Sequence, residues 1–140
     1  MYLTHSRQVL SYEVGVVSRF MQEPHEIHWK ATKQILQYVH GTITFGIHYA
    51  TDSALDLIGF TDFDWAGNSI DHKSASGYSL NLGLGPICWS SKKEVSIGLS
   101  LVEAEYRGVV NITVHALWLQ HFLSELAIQL HRPTIIWCDN

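Results

Sequence analysis

The spacing of the apolar residues changes partway along the chain, and that switch constrains the fold more than any other feature. Leu10, Val14, Val17 and Met21 recur at i, i+4, i+7 and i+11, which is one face of a helix. Pro24 stands where it would end that helix. Ile27, Ala31, Ile35 and Tyr38 or Val39 make a second such face, with Gly41 in the place of a C-terminal cap. From 43 the period falls to two: Ile43, Phe45, Ile47 and Tyr49 alternate with Thr44, Gly46 and His48, predicting a half-buried strand. Segment 55–61 is apolar on both faces, as a central strand would be. Segments 78–82 and 87–90 flank Gly83-Leu84-Gly85-Pro86, which predicts a β-hairpin. A further short strand is expected at 95–99.

Ser100 and Glu103 fit a capping box, opening a helix that runs to about Leu126. Val102, Tyr106, Val109, Val110, Leu117 and Leu123 are expected to share its broad apolar face. Pro133 precedes a last strand at 134–138, and Asp139-Asn140 follow directly. A sheet strand is normally followed by an element that covers it. The expectation is therefore an edge strand or a fragment of a longer chain, and a fragment is preferred. There are no internal repeats.

Composition narrows the class. In 140 residues, 46% are apolar, enough for a core and too many for a disordered chain. No apolar run approaches the ~20 residues of a membrane span. The start, Met1-Tyr2-Leu3-Thr4-His5-Ser6-Arg7, lacks a secretory signal pattern, so a soluble, cytoplasmic protein without a membrane partner is expected. The formal charge of −4 is not the basic footprint of a nucleic-acid binder. Any nucleic-acid role must then rest on a site. Cys88 and Cys138 stand far apart and read as buried thiols in a reducing compartment.

Several chemical signatures fail. Gly98-Leu99-Ser100 lacks the second glycine of a nucleophile elbow. Gly83-Leu84-Gly85 lacks the third glycine of a dinucleotide loop. His25 and His28 have no completing carboxylate pattern for zinc, and the nine histidines read as surface and half-buried polar residues.

The carboxylates are more informative. Asp62 and Asp139 end apolar strands, and Glu105 lies in an early turn of the long helix. Three such groups meeting at one point would repel one another unless divalent cations neutralised them, and oxygen-only ligands suit magnesium. Two ions ~4 Å apart could activate water and stabilise a leaving oxygen. The alternative is simpler: aspartate is a common residue at exposed strand ends. Asp64, two residues beyond Asp62, is a rival on the same face.

Gly59-Phe60-Thr61-Asp62-Phe63-Asp64-Trp65-Ala66-Gly67 resembles the opening of the ribonuclease H domain in copia-type LTR retrotransposon polyproteins. Lys73-Ser74-Ala75-Ser76-Gly77-Tyr78, Trp89-Ser90-Ser91-Lys92-Lys93, Glu103-Ala104-Glu105-Tyr106, Ala116-Leu117-Trp118-Leu119 and Trp137-Cys138-Asp139-Asn140 resemble further stretches of it, in order. Upstream, Met1-Tyr2-Leu3-Thr4, Ser18-Arg19-Phe20-Met21 and His28-Trp29-Lys30 are similar to the segment joining reverse transcriptase to that domain. The resemblance implies a helical connection over 1–50 and the N-terminal part of a ribonuclease H-like domain over 51–140. The implied fold is α/β, an α+β mixed sheet with helices on its faces, incomplete at the C-terminus.

By the same resemblance, Asp62, Glu105 and Asp139 are the metal-binding catalytic carboxylates, holding two Mg²⁺ ions with Mn²⁺ as a substitute. Glu103 is set aside because the capping box occupies it. Asn68 is a weaker candidate for contact with a hybrid's minor groove, where 2′-hydroxyls mark RNA. The implied activity is cleavage of the RNA strand of an RNA–DNA hybrid. The implied partners are that hybrid and the remainder of the Pol polyprotein, including reverse transcriptase; a virus-like particle or the nucleus are further implied locations.

The chain departs from the family in places. The family has a fourth carboxylate downstream that this sequence does not reach. Gln8-Val9 replaces Pro followed by an acidic residue, and Leu101-Val102 replaces small polar residues before the catalytic helix. These departures keep a second expectation open: a catalytically inactive, truncated remnant with weak nucleic-acid or partner binding.

Overall fold

A computed structural model describes residues 2–50, 54–64, 75–93 and 101–139. The chain forms two compact units, Met1–Gly46 and Ile47–Asn140.

The first unit is helical: α1 (Tyr2–Ser6), a single 3₁₀ turn (Gln8–Leu10), α2 (Ser11–Ser18) and α3 (Glu26–Gly41). The expected first helix stops three residues short of Met21, which lies beyond it and is 74% exposed. Ser18 turns its hydroxyl back to the carbonyl of Gly15 there, a local bond that competes with helix propagation. Gly41 is not the left-handed cap expected of it, because α3 runs through it. Thr42 ends the helix instead. Its hydroxyl donates to the carbonyl of Tyr38 at 2.7 Å, and Arg7 donates to the Thr42 hydroxyl at 2.8 Å and its carbonyl at 2.7 Å. A cation at a helix C-terminus satisfies orphan acceptors and opposes the helix dipole.

The predicted strand at 43–49 does not form. Alternation makes a strand only where a neighbour takes its backbone bonds, and these residues have no place in the sheet. Ile43 and Phe45 are largely exposed. Tyr49 instead packs its ring over Gly85, where a Cβ would lie 2.6 Å from it, and donates its hydroxyl to the carbonyl of Pro86 at 2.7 Å.

The second unit contains β1 (Leu57–Asp64), β2 (Ala75–Leu82), β3 (Gly85–Lys93), α4 (Leu101–Glu125) and β4 (Ile135–Cys138). It is an α+β unit with a mixed four-stranded sheet in the order β3-β2-β1-β4. The first three strands are antiparallel, and β4 runs parallel to β1 at the edge. The predicted hairpin is present, closed by Gly83 at φ 60°, where glycine carries no steric penalty. The expected strand at 95–99 and the Ser100 half of the capping box lie outside the described residues.

Helix α4 covers one face of the sheet. Leu57, Leu80, Ile112, Ala116, Leu119 and Leu123 form the core, with Ile136 packed against it. Gly59 lets the helix come close. The expected apolar face of α4 is corrected here. Only Leu123 of the predicted set is in the core, whereas Val102, Tyr106, Val110 and Leu117 are 50–72% exposed. The helix has apolar residues on nearly all sides, and periodicity cannot choose which of them meets the sheet. Cys138 is exposed, not buried as expected, because β4 lies at the sheet's edge; Cys88 is half-buried.

Candidate functional site

Parity along β1 sets the geometry of the strand ends. Leu57, Gly59 and Thr61 are buried, while Phe60 and Asp62 are exposed. Side chains alternate across a sheet, so Thr61 belongs to the face under α4 and Asp62 to the opposite face. The Thr61 hydroxyl donates to the carbonyl of Gly77 at 3.2 Å, tying β1 to β2. On the other side Thr61 is in register with Cys138, and the Asp139 amide reaches the Thr61 carbonyl at 3.4 Å. One step further along that register brings the Asp62 and Asp139 backbones side by side.

A cavity of about 240 Å³ opens there, between the C-terminal ends of β1 and β4 and the first turns of α4. Thr61, Cys138 and Asp139 line it from the sheet; Val102, Glu105, Tyr106 and Val109 line it from the helix. The structure therefore brings Glu105 and Asp139 together and leaves Asp62 on the neighbouring position outside the lining. Asp64 is the last residue of β1. Asn68 lies outside the described residues. Glu103 is held by Arg107, one turn on, at 2.7 Å.

Two carboxylates and a hydroxyl form a hard-oxygen donor set. Magnesium is typically bound by one or two carboxylates, its remaining positions filled by water and substrate phosphate. Glu105 and Asp139 fit that requirement for one ion. Among the described residues no three His, Cys, Asp or Glu side chains converge on one point. Sequence reasoning missed Thr61, Tyr106 and Cys138 as cavity residues. Tyr106 had one visible signal: it follows Glu105 directly, near the same end of the helix.

The chain matches no protein-family model and no solved structure. Curated sequences do match it. It is 43% identical over 139 residues, 99% of its length, to the "Retrovirus-related Pol polyprotein from transposon RE2" of Arabidopsis thaliana. It is 36% identical over 135 residues to the "Retrovirus-related Pol polyprotein from transposon TNT 1-94" of Nicotiana tabacum. In each case it spans about 10% of that polyprotein. It is also 38% identical over 114 residues to the "Secreted RxLR effector protein 161" of Plasmopara viticola, covering 80% of that protein. Over nearly its whole length the chain is therefore similar to one segment of retrotransposon Pol polyproteins.

Proposed function

We propose that this retrotransposon-derived chain is a ribonuclease H-like unit that hydrolyses the RNA strand of RNA–DNA hybrids, using two magnesium ions held by Asp62, Glu105 and Asp139. The observation that carries this reading is the shared cavity of Glu105 and Asp139 at the ends of two parallel neighbours, β1 and β4. The mixed sheet, with three antiparallel strands and a parallel fourth beyond a crossover helix, is compatible with a ribonuclease H-like fold.

The ions, once bound, would supply an activated water and charge stabilisation for the leaving oxygen. The chain's own residues do the rest. Glu105 presents its carboxylate from a helix whose core side is fixed by Ile112 and Ala116. Asp139 is placed by its amide bond to Thr61, and Thr61 by its hydroxyl bond to Gly77. Asp62, on the strand position next to Thr61, would supply the third carboxylate. Manganese would substitute for magnesium, and the remainder of the Pol polyprotein, with its reverse transcriptase, is the proposed partner.

One observation favours the second reading, an inactive remnant: Asp62 does not line the cavity that holds the other two carboxylates. Cleavage of a labelled RNA–DNA hybrid in magnesium separates the two. The nuclease reading expects cleavage by the parent chain and a loss of at least about 100-fold in Asp62→Asn, Glu105→Gln and Asp139→Asn, since removing a ligand costs no less than disturbing its support. A folded parent chain that leaves the hybrid intact overturns the nuclease reading for this chain and identifies a remnant or an incomplete piece.

A further inference from the structure

Tyr106 is 72% exposed, a costly position for an aromatic ring on a helix that has a core to fill. It lines the carboxylate cavity with Glu105 and Asp139. It also lines a second depression, of about 380 Å³, with Glu103, Arg107, Val110 and Asn111. The ring thus forms the ridge between the two. On one side are hard oxygen donors suited to a metal-bound phosphate; on the other are an ion pair, an aliphatic residue and an amide.

The charge balance of the second depression decides what it can hold. Arg107 and Glu103 form an ion pair at 2.7 Å, so the arginine's charge is met by a carboxylate within the groove. Asn111 is exposed there, and its side-chain amide can both donate and accept. An exposed ring beside a neutral polar groove matches sugars and base edges better than phosphates. RNA-containing helices display their riboses and 2′-hydroxyls in a wide, shallow minor groove.

Resting on the nuclease reading above, we propose that Tyr106 and the Glu103–Arg107–Asn111 groove form a subsite for the nucleotide flanking the scissile bond. The Tyr106 ring packs against the ribose, and Asn111 faces the next sugar or base edge. The contact is apolar and polar but not ionic, so it adds affinity without adding salt dependence. The contact is made equally in the ground and transition states, so it contributes binding and not rate.

The test is binding of a short labelled RNA–DNA hybrid by the full chain in calcium, with Tyr106→Ala and Tyr106→Phe. Calcium's looser coordination allows binding to be read apart from turnover. The expected result is a Kd raised about tenfold in Tyr106→Ala, in the range of lost aromatic contacts to nucleotides, and changed less than about twofold in Tyr106→Phe. The slope of log Kd against log salt stays that of the parent, because no phosphate contact is lost. In magnesium, Tyr106→Ala raises KM while kcat holds, whereas Glu105→Gln lowers kcat. Equal Kd values for parent and Tyr106→Ala, or a flattened salt slope in the variant, overturn the subsite. A parent chain that binds the hybrid without cutting it overturns the nuclease reading alone, and the Tyr106 comparison still decides the subsite. A parent chain that does not bind overturns both.

Discussion

A Cβ on Gly59 would lie 2.8 Å from Ile112 Cδ1, 3.2 Å from Ile136 Cγ1 and 3.3 Å from Leu80 Cδ2. Three side chains from three elements press on one missing methyl group, so at least one must shift. Gly59→Ala is expected to cost about 1–3 kcal/mol, the range for overfilling a packed core, read as a lower urea midpoint at unchanged m-value. Tyr78 reports on the same core by titration. Burial, and then the charge and hydrogen bond of the neighbouring Cys88 thiol, push its phenol well above the ordinary 10.0. A raised pKa means that the folded chain keeps a proton the unfolded chain releases. Its contribution is therefore complete below pH ~10 and lost as pH climbs beyond it. Alkaline unfolding followed between pH ~9 and ~12 should be steeper in the parent than in Tyr78→Phe.

At the scale of elements, α4 governs the second unit. Ile112 is fully buried at the centre of the core, and Val114 is 58% exposed on the same helix. Ile112→Ala should cost about 2–5 kcal/mol, while Val114→Ala, which gains helix propensity and loses little packing, should stay within about 0.5 kcal/mol. Thermal melts of the two variants check the assignment of the buried face. That face was not legible in the sequence, because the residues chosen for it, such as Tyr106 and Val110, have the same apolar character as those that meet the sheet. The hairpin was legible, because Gly83 and the alternation on both sides of it specify strand, turn and strand locally. The segment 43–49 carried the same alternation and gave no strand, since pairing depends on neighbours that no local pattern contains. For the candidate site, the sequence marked Glu105 and Asp139 as carboxylates at element ends. What it left out was strand parity, which separates Asp62 from Thr61 by one face of the sheet.

The whole molecule combines two units of different kinds. Within the sheet unit, the face away from α4 carries Phe60, Ile135 and Trp137, between 46% and 60% exposed. Contiguous exposed apolar surface favours association. Sedimentation of the parent chain should show self-association that Phe60→Thr with Trp137→Thr reduces. Magnesium gives a second test at this scale: a ligand bound by the native state alone raises stability. If Glu105 and Asp139 hold an ion, millimolar magnesium should raise the Tm of the parent and leave that of Glu105→Gln and Asp139→Asn unmoved.

The parallel pairing of β4 with β1 has a consequence in time. Antiparallel neighbours can pair as soon as their hairpin is made, but a parallel partner must wait for the crossover between them. Here the crossover includes all of α4, and Asp139 reaches the Thr61 carbonyl only after β4 has returned to the sheet. On the ribosome, β1, β2 and β3 can assemble while later residues are still in the exit tunnel. The cavity cannot. Whatever chemistry it performs is withheld from the nascent chain until β4 has emerged and returned to the sheet, so the order of the strands sets the earliest moment of activity.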